Sequence, residues 1–180
     1  MKPLIKIHLF LILIVLVGNI SCRKLEQFPI EPEISFIAFE KIYNSTDSIY
    51  DKGVLKISFK DGDGDIGLRK ADTFPPFNQK SKYYYNLVVT FFELQNGQIK
   101  EVPLVFYNPS TQTWDTIPLS ARIPYLTPEG ANKSISGEIY DTLFIYNYNS
   151  DFDTLQLEAF IYDRALHKSN TVNTGLIVRE

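Results

Sequence analysis

The chain has 180 residues and a formal net charge of −3, so it carries no basic excess with which to hold nucleic acid. Hydrophobic residues make up 44% and aromatic residues 14%, which excludes a disordered chain and predicts a packed core. One cysteine and two histidines exclude a disulfide framework and the usual zinc ligand sets.

Lys2 and Lys6 are followed by an unbroken apolar run, Leu9 to Val17. The run is too short for a permanent membrane span and has the length of a signal-peptide core. It leads into Asn19-Ile20-Ser21-Cys22, which resembles the lipobox of bacterial lipoproteins, with Asn19 where that pattern has Leu. The resemblance implies that residues 1–21 are a lipoprotein signal peptide and that Cys22 is acylated. Each buried methylene contributes roughly 0.8 kcal/mol, so a multiply acylated cysteine passes the two-chain threshold for stable anchoring. The alternative is a plain secretory signal with an unmodified cysteine. Residues 22–33 contain Pro29 and Pro32 and predict an extended tether. The rest of the chain has no apolar run of spanning length, so the expected membrane contact is the lipid alone.

From Ile34 to the end the apolar pattern has a period of two, the mark of half-buried antiparallel strands. Leu55, Ile57 and Phe59 alternate with Lys56, Ser58 and Lys60. Leu155, Leu157, Ala159 and Ile161 alternate with Gln156, Glu158, Phe160 and Tyr162. Strands are predicted over 34–42, 53–60, 83–94, 98–106, 116–123, 134–146, 154–163 and 171–178. Asn96-Gly97 is a hairpin signal, and Pro128-Glu129-Gly130 and Asn149-Ser150-Asp151 mark turns. The expected fold is all-β: an immunoglobulin-like antiparallel β-sandwich of seven to eight strands over residues 34–180. Leu157 to Ala165, continued by His167-Lys168-Ser169-Asn170, resembles the last hairpin of bacterial immunoglobulin-like domains, with Leu166-His167 where that pattern has Gly-Asn.

The strand ending at Phe59 runs into Lys60-Asp61-Gly62-Asp63-Gly64-Asp65-Ile66-Gly67. Three carboxylates on alternate residues repel one another, and a hard cation with oxygen ligands relieves that repulsion. The segment resembles Asp-x-Asp-x-Asp-Gly calcium loops at Asp61, Asp63 and Asp65. It departs from the EF-hand at Ile66, at Asp72 in the twelfth position, and in lacking flanking helices. Calcium held by these three aspartates, with Asp72, Asp163 or Asn170 completing the set, is one reading. A solvated turn whose aspartates cap their own backbone amides is the other. In an immunoglobulin-type sandwich the loops after the second strand and before the last share one end, which would bring Asp163 or Asn170 near the aspartates. Gly62, Gly64 and Gly67 also satisfy Gly-x-Gly-x-x-Gly, but no helix follows to receive a pyrophosphate, and the aspartates would repel it.

The long connection after Phe59 carries Phe74-Pro75-Pro76-Phe77. Exposed, Phe74 and Phe77 would form a patch for a protein or glycan; folded back, they would plug the sandwich, the commoner fate of aromatics. Tyr107 and Trp114 flank Asn108 to Thr111 and offer a carbohydrate platform, although a lone Trp in a sandwich is expected in the core. With His8 in the leader, His167 is the one histidine left for catalysis, and no Gly-x-Ser-x-Gly elbow exists. The chain therefore reads as non-enzymatic, with a carbohydrate-active hydrolase using two carboxylates as a further alternative. The strand with Asp-Gly-Asp-Gly-Asp-Ile-Gly behind a lipoprotein leader resembles a group of uncharacterised lipoproteins of Bacteroidota-type bacteria. That resemblance implies a small sandwich at the outer membrane in a binding or structural role, or a subunit of an outer-membrane assembly. In such bacteria acids just after the cysteine favour surface display. Arg23-Lys24-Leu25-Glu26 has one acid, which leaves the periplasmic and surface faces both open.

Overall fold

The computed structural model describes residues 28–127 and 133–180. The leader, Cys22 and the predicted turn at Pro128 to Gly130 lie outside the described residues. Ten strands follow in chain order: β1 (Glu33–Asn44), β2 (Ile49–Asp61), β3 (Leu87–Gln95), β4 (Gln98–Glu101), β5 (Val105–Asn108), β6 (Thr113–Thr116), β7 (Ile135–Phe144), β8 (Thr154–Ile161), β9 (Val172–Asn173) and β10 (Ile177–Val178). No helix among the described residues is long and apolar enough to cross a membrane.

The strands form an all-β sandwich. One layer has the order β1-β2-β7 and the other β10-β8-β3-β4, with β9 also paired to β8, and β5 and β6 form a separate two-stranded sheet. Every strand pair is antiparallel. The two-residue period decides which side chains meet between the sheets. Leu55, Ile57 and Phe59 of β2 join Leu87 and Phe91 of β3 and Leu157 of β8 in one buried cluster. Each fully buried Leu, Ile or Phe contributes roughly 1.5–3 kcal/mol, so this shared face holds the sheets together.

The predicted hairpin forms: Asn96 and Gly97, at φ 53° and 79°, turn β3 into β4 as a two-residue primed turn requires. β1 and β2 run a few residues beyond their predicted ends, and four other strands depart further. The strand predicted from residue 83 starts at Leu87, because the Tyr84 N–H closes a turn on the Ser81 carbonyl. The strand predicted over 98–106 breaks at Pro103, which has no N–H for a ladder. The strand predicted over 116–123 is replaced by β6 and isolated bridges at Ala121 and Pro124. The final strand is divided around Gly175 at φ 67°. These breaks account for ten strands where seven or eight were expected.

The register gathers the chemistry-bearing loops. Glu33 pairs with Lys60, Asp61 with Ile135 and Leu87 with Ile161. The start of β1, the loop after β2, the lead-in to β7 and the loop after β8 therefore share one end. Bridges between Ile66 and Asp163 and between Leu68 and Pro124 close that end.

Candidate metal centre

Asp61 is the last residue of β2, and the alternation that turns Leu55, Ile57 and Phe59 inward turns it inward too. It is fully buried. The Asp65 N–H donates to Asp61 Oδ2 at 2.8 Å, folding the loop back over its own first carboxylate. Gly64 and Gly67 take φ of 64° and 92°. Crowding adds to that requirement: a Cβ would stand 2.3 Å from the Phe28 carbonyl oxygen at Gly62, 1.7 Å from that of Lys133 at Gly64 and 1.9 Å from that of Pro124 at Gly67. Three other backbone segments thus wrap the loop so closely that only glycine fits at these three positions, two of them between the aspartates and one just after.

Asp61, Asp63 and Asp65 each present a carboxylate oxygen within 4.8 Å of the other two. Oδ1 of all three is buried and receives no hydrogen bond from the described residues. An unsatisfied buried polar atom costs about 1–3 kcal/mol, and more when charged. The opposite end of the sandwich provides the contrast. Glu93 is equally buried, but Asn147 Nδ2, Ser150 Oγ and Gln95 Nε2 donate to it at 3.0, 2.8 and 2.9 Å.

The electrostatics follow from this arrangement. Burial, joined by repulsion from Asp63, Asp65 and Asp163 and opposed by the Asp65 N–H, pushes Asp61 up to about 6. Burial and the charges of Asp163 and Asp63 raise Asp65, against the pull of Arg164 and the Ala165 N–H. Asp163 is almost fully buried and is also raised by burial. Its Oδ1 accepts the His167 N–H at 2.7 Å and its Oδ2 meets His167 Nδ1 at 2.8 Å, which raises the imidazole. The loop after β8 reaches the aspartates directly: the Arg164 N–H donates to the Asp65 carbonyl at 3.2 Å and the Ala165 N–H to Asp65 Oδ2 at 3.0 Å.

The remaining candidates stand elsewhere. Asp72 Oδ2 accepts the Arg69 N–H at 2.7 Å within its own turn. Asn170 clasps the backbone of Ile34, accepting from its N–H at 2.9 Å and donating to its carbonyl at 2.8 Å. The expected plug does not form: Phe74 is 78% exposed and Phe77 half-buried. Trp114 is not in the core either. It packs edge-on against Tyr107 on the separate β5–β6 hairpin, and each is 50% exposed. His167 is tied to Asp163 while its side chain stays 40% exposed.

Arg122 was not foreseen. Its guanidinium donates to the Tyr84 carbonyl at 2.7 Å and the Asp72 carbonyl at 2.8 Å, bracing the long connection after the acidic loop. No local pattern marks such a residue, because its partners lie 38 and 50 positions away.

The donor set is all oxygen and strongly anionic, which suits a hard divalent cation and not a soft one. His167 Nδ1 is already engaged. A calcium ion at Asp61, Asp63 and Asp65 would answer both the mutual repulsion and the three unpartnered oxygens. Compared with known proteins, the chain matches no family model, no curated protein and no solved structure.

Proposed function

We propose that this protein is a lipid-anchored β-sandwich of the bacterial outer membrane, with a non-enzymatic binding or structural role, and that its acidic loop holds a structural calcium ion. The calcium reading is carried by one observation: the carboxylates of Asp61, Asp63 and Asp65 converge, and each has a buried Oδ1 with no hydrogen-bond donor among the described residues. An ion there joins the end of β2 to the loops that surround it, so its role is to stiffen one end of the sandwich. The anchor rests on the leader and Cys22. The binding role is supported by Trp114, Tyr107 and Phe74, aromatic side chains presented to solvent where a protein or glycan can reach them.

Calcium titration by calorimetry, paired with thermal melting, tests the site. Heat of binding and a melting rise at millimolar calcium are expected; no heat and no rise would remove the calcium reading. At a hundredfold excess over Kd the gain is about 2.7 kcal/mol. Replacing Cys22 with Ala tests the anchor: the protein moves from the membrane to the soluble fraction, and retention on the membrane would overturn it.

A further inference from the structure

We infer that calcium at Asp61, Asp63 and Asp65 governs whether the leading segment Phe28–Ile34 is fastened to the sandwich, so that the ion sets how the chain emerges from the domain. This rests on the calcium reading of the loop and adds a consequence to it.

The contact point is Gly62, which stands between the first two aspartates. Its N–H donates to the Pro29 carbonyl at 2.7 Å. Its α-carbon lies so close to the segment that a Cβ would meet the Phe28 and Pro29 carbonyl oxygens at 2.3 and 2.7 Å. The Lys60 ammonium sits 5.3 Å from the Phe28 ring centroid on the same side. At the far end of the segment, Asn170 clasps both backbone groups of Ile34. Asn170 belongs to the loop that carries Asp163, which bridges to Ile66 of the acidic loop. Both grips on the segment are therefore mounted on the two loops that enclose the aspartates.

Pro32 and Ile34 are buried, but little else holds the residues ahead of them. Sheet pairing begins only at Glu33, and Ile30 is 60% exposed. The leading part of the segment, residues 28–31, has one backbone bond and no fully buried side chain, and such a stretch opens at low free energy. The position of Gly62 is set by its two flanking aspartates, and three like charges on alternate residues drive that turn apart unless a cation draws them together. The ion and the Pro29 bond are thus coupled through a single residue.

The test is single-residue amide exchange by NMR on the full-length protein in detergent micelles, in calcium and in chelator, alongside a melting curve. Amides of the β3–β4 hairpin, at the opposite end, provide the reference for a global gain. Calcium is expected to slow exchange at Gly62 and Ile34 at least tenfold more than at the reference amides, and Asp63→Asn is expected to abolish that excess. A melting rise without excess slowing at Gly62 and Ile34 would overturn the coupling and leave the ion site standing. Excess slowing that persists in Asp63→Asn would show that it does not run through the site, and would also overturn it. No calcium effect on melting or exchange would remove both readings.

Discussion

Replacing Asp61 with Asn is expected to stabilise the protein in chelator and to abolish its response to calcium. The side chain is fully buried, and its pKa is pushed from 3.8 to about 6. A carboxyl raised in the folded state favours folding below pH 3.8, and that contribution is lost as pH rises through about 6. Above that pH the folded chain must keep Asp61 ionised against burial and three neighbouring carboxylates. At about 1.4 kcal/mol for each pH unit the upper value is about 3 kcal/mol. Asp63 and Asp65 are only half-buried, so solvent screens the open side of the cluster and the working figure is about 1–2 kcal/mol. Asn keeps the oxygen that accepts the Asp65 N–H, so the turn survives the change. Urea unfolding at pH 8 in chelator should place Asp61→Asn above the wild type by that amount, with the gap closing at pH 4. With calcium the order reverses, because only the wild type gains. A variant less stable than the wild type in chelator at pH 8 would refute the reasoning, since Asp61 would then be contributing stability without an ion.

Other outcomes follow from the same geometry. Gly64→Ala places a methyl 1.7 Å from the Lys133 carbonyl oxygen at φ 64°, and should cost about 3 kcal/mol or more in urea unfolding. Gly97→Ala meets nothing within 4 Å and carries only the left-handed penalty, about 1–2 kcal/mol. Trp114→Ala should change stability by no more than about 0.5 kcal/mol, where a core Trp would cost about 3–5 kcal/mol, and native Trp fluorescence should be that of a solvated indole. His167 should titrate by NMR above 6.5, because Asp163 holds its protonated form. Its contribution to stability is present below pH 6.5 and lost as pH rises through the raised midpoint, and Asp163→Asn should return the midpoint toward the ordinary value.

The sheets were legible because their pattern is local. Each of Leu55, Ile57 and Phe59 announces its face by its neighbours, and Asn96-Gly97 announces its turn. The same alternation carries one residue further to Asp61, but the predicted strand stops at Lys60, and the burial of the first aspartate goes unread with it. The glycines of the acidic loop read as freedom to turn. Their stronger constraint comes from carbonyls of Phe28, Lys133 and Pro124, which are distant in the chain and leave no local trace. Asp163 could be placed near the loop from the connectivity of a sandwich alone. Asn170 was placed there by the same argument, yet its amide matches the backbone of Ile34. Phe74 and Trp114 mislead because an aromatic is buried only if something covers it. The β5–β6 hairpin stands as its own two-stranded sheet with both rings half in solvent.

Diffraction from crystals grown with calcium, at a wavelength where calcium scatters anomalously, tests the centre most directly. An anomalous peak is expected among the carboxylates of Asp61, Asp63 and Asp65, with oxygen distances of about 2.3–2.6 Å. Carboxylates turned outward to water, with no peak between them at saturating calcium, would contradict it.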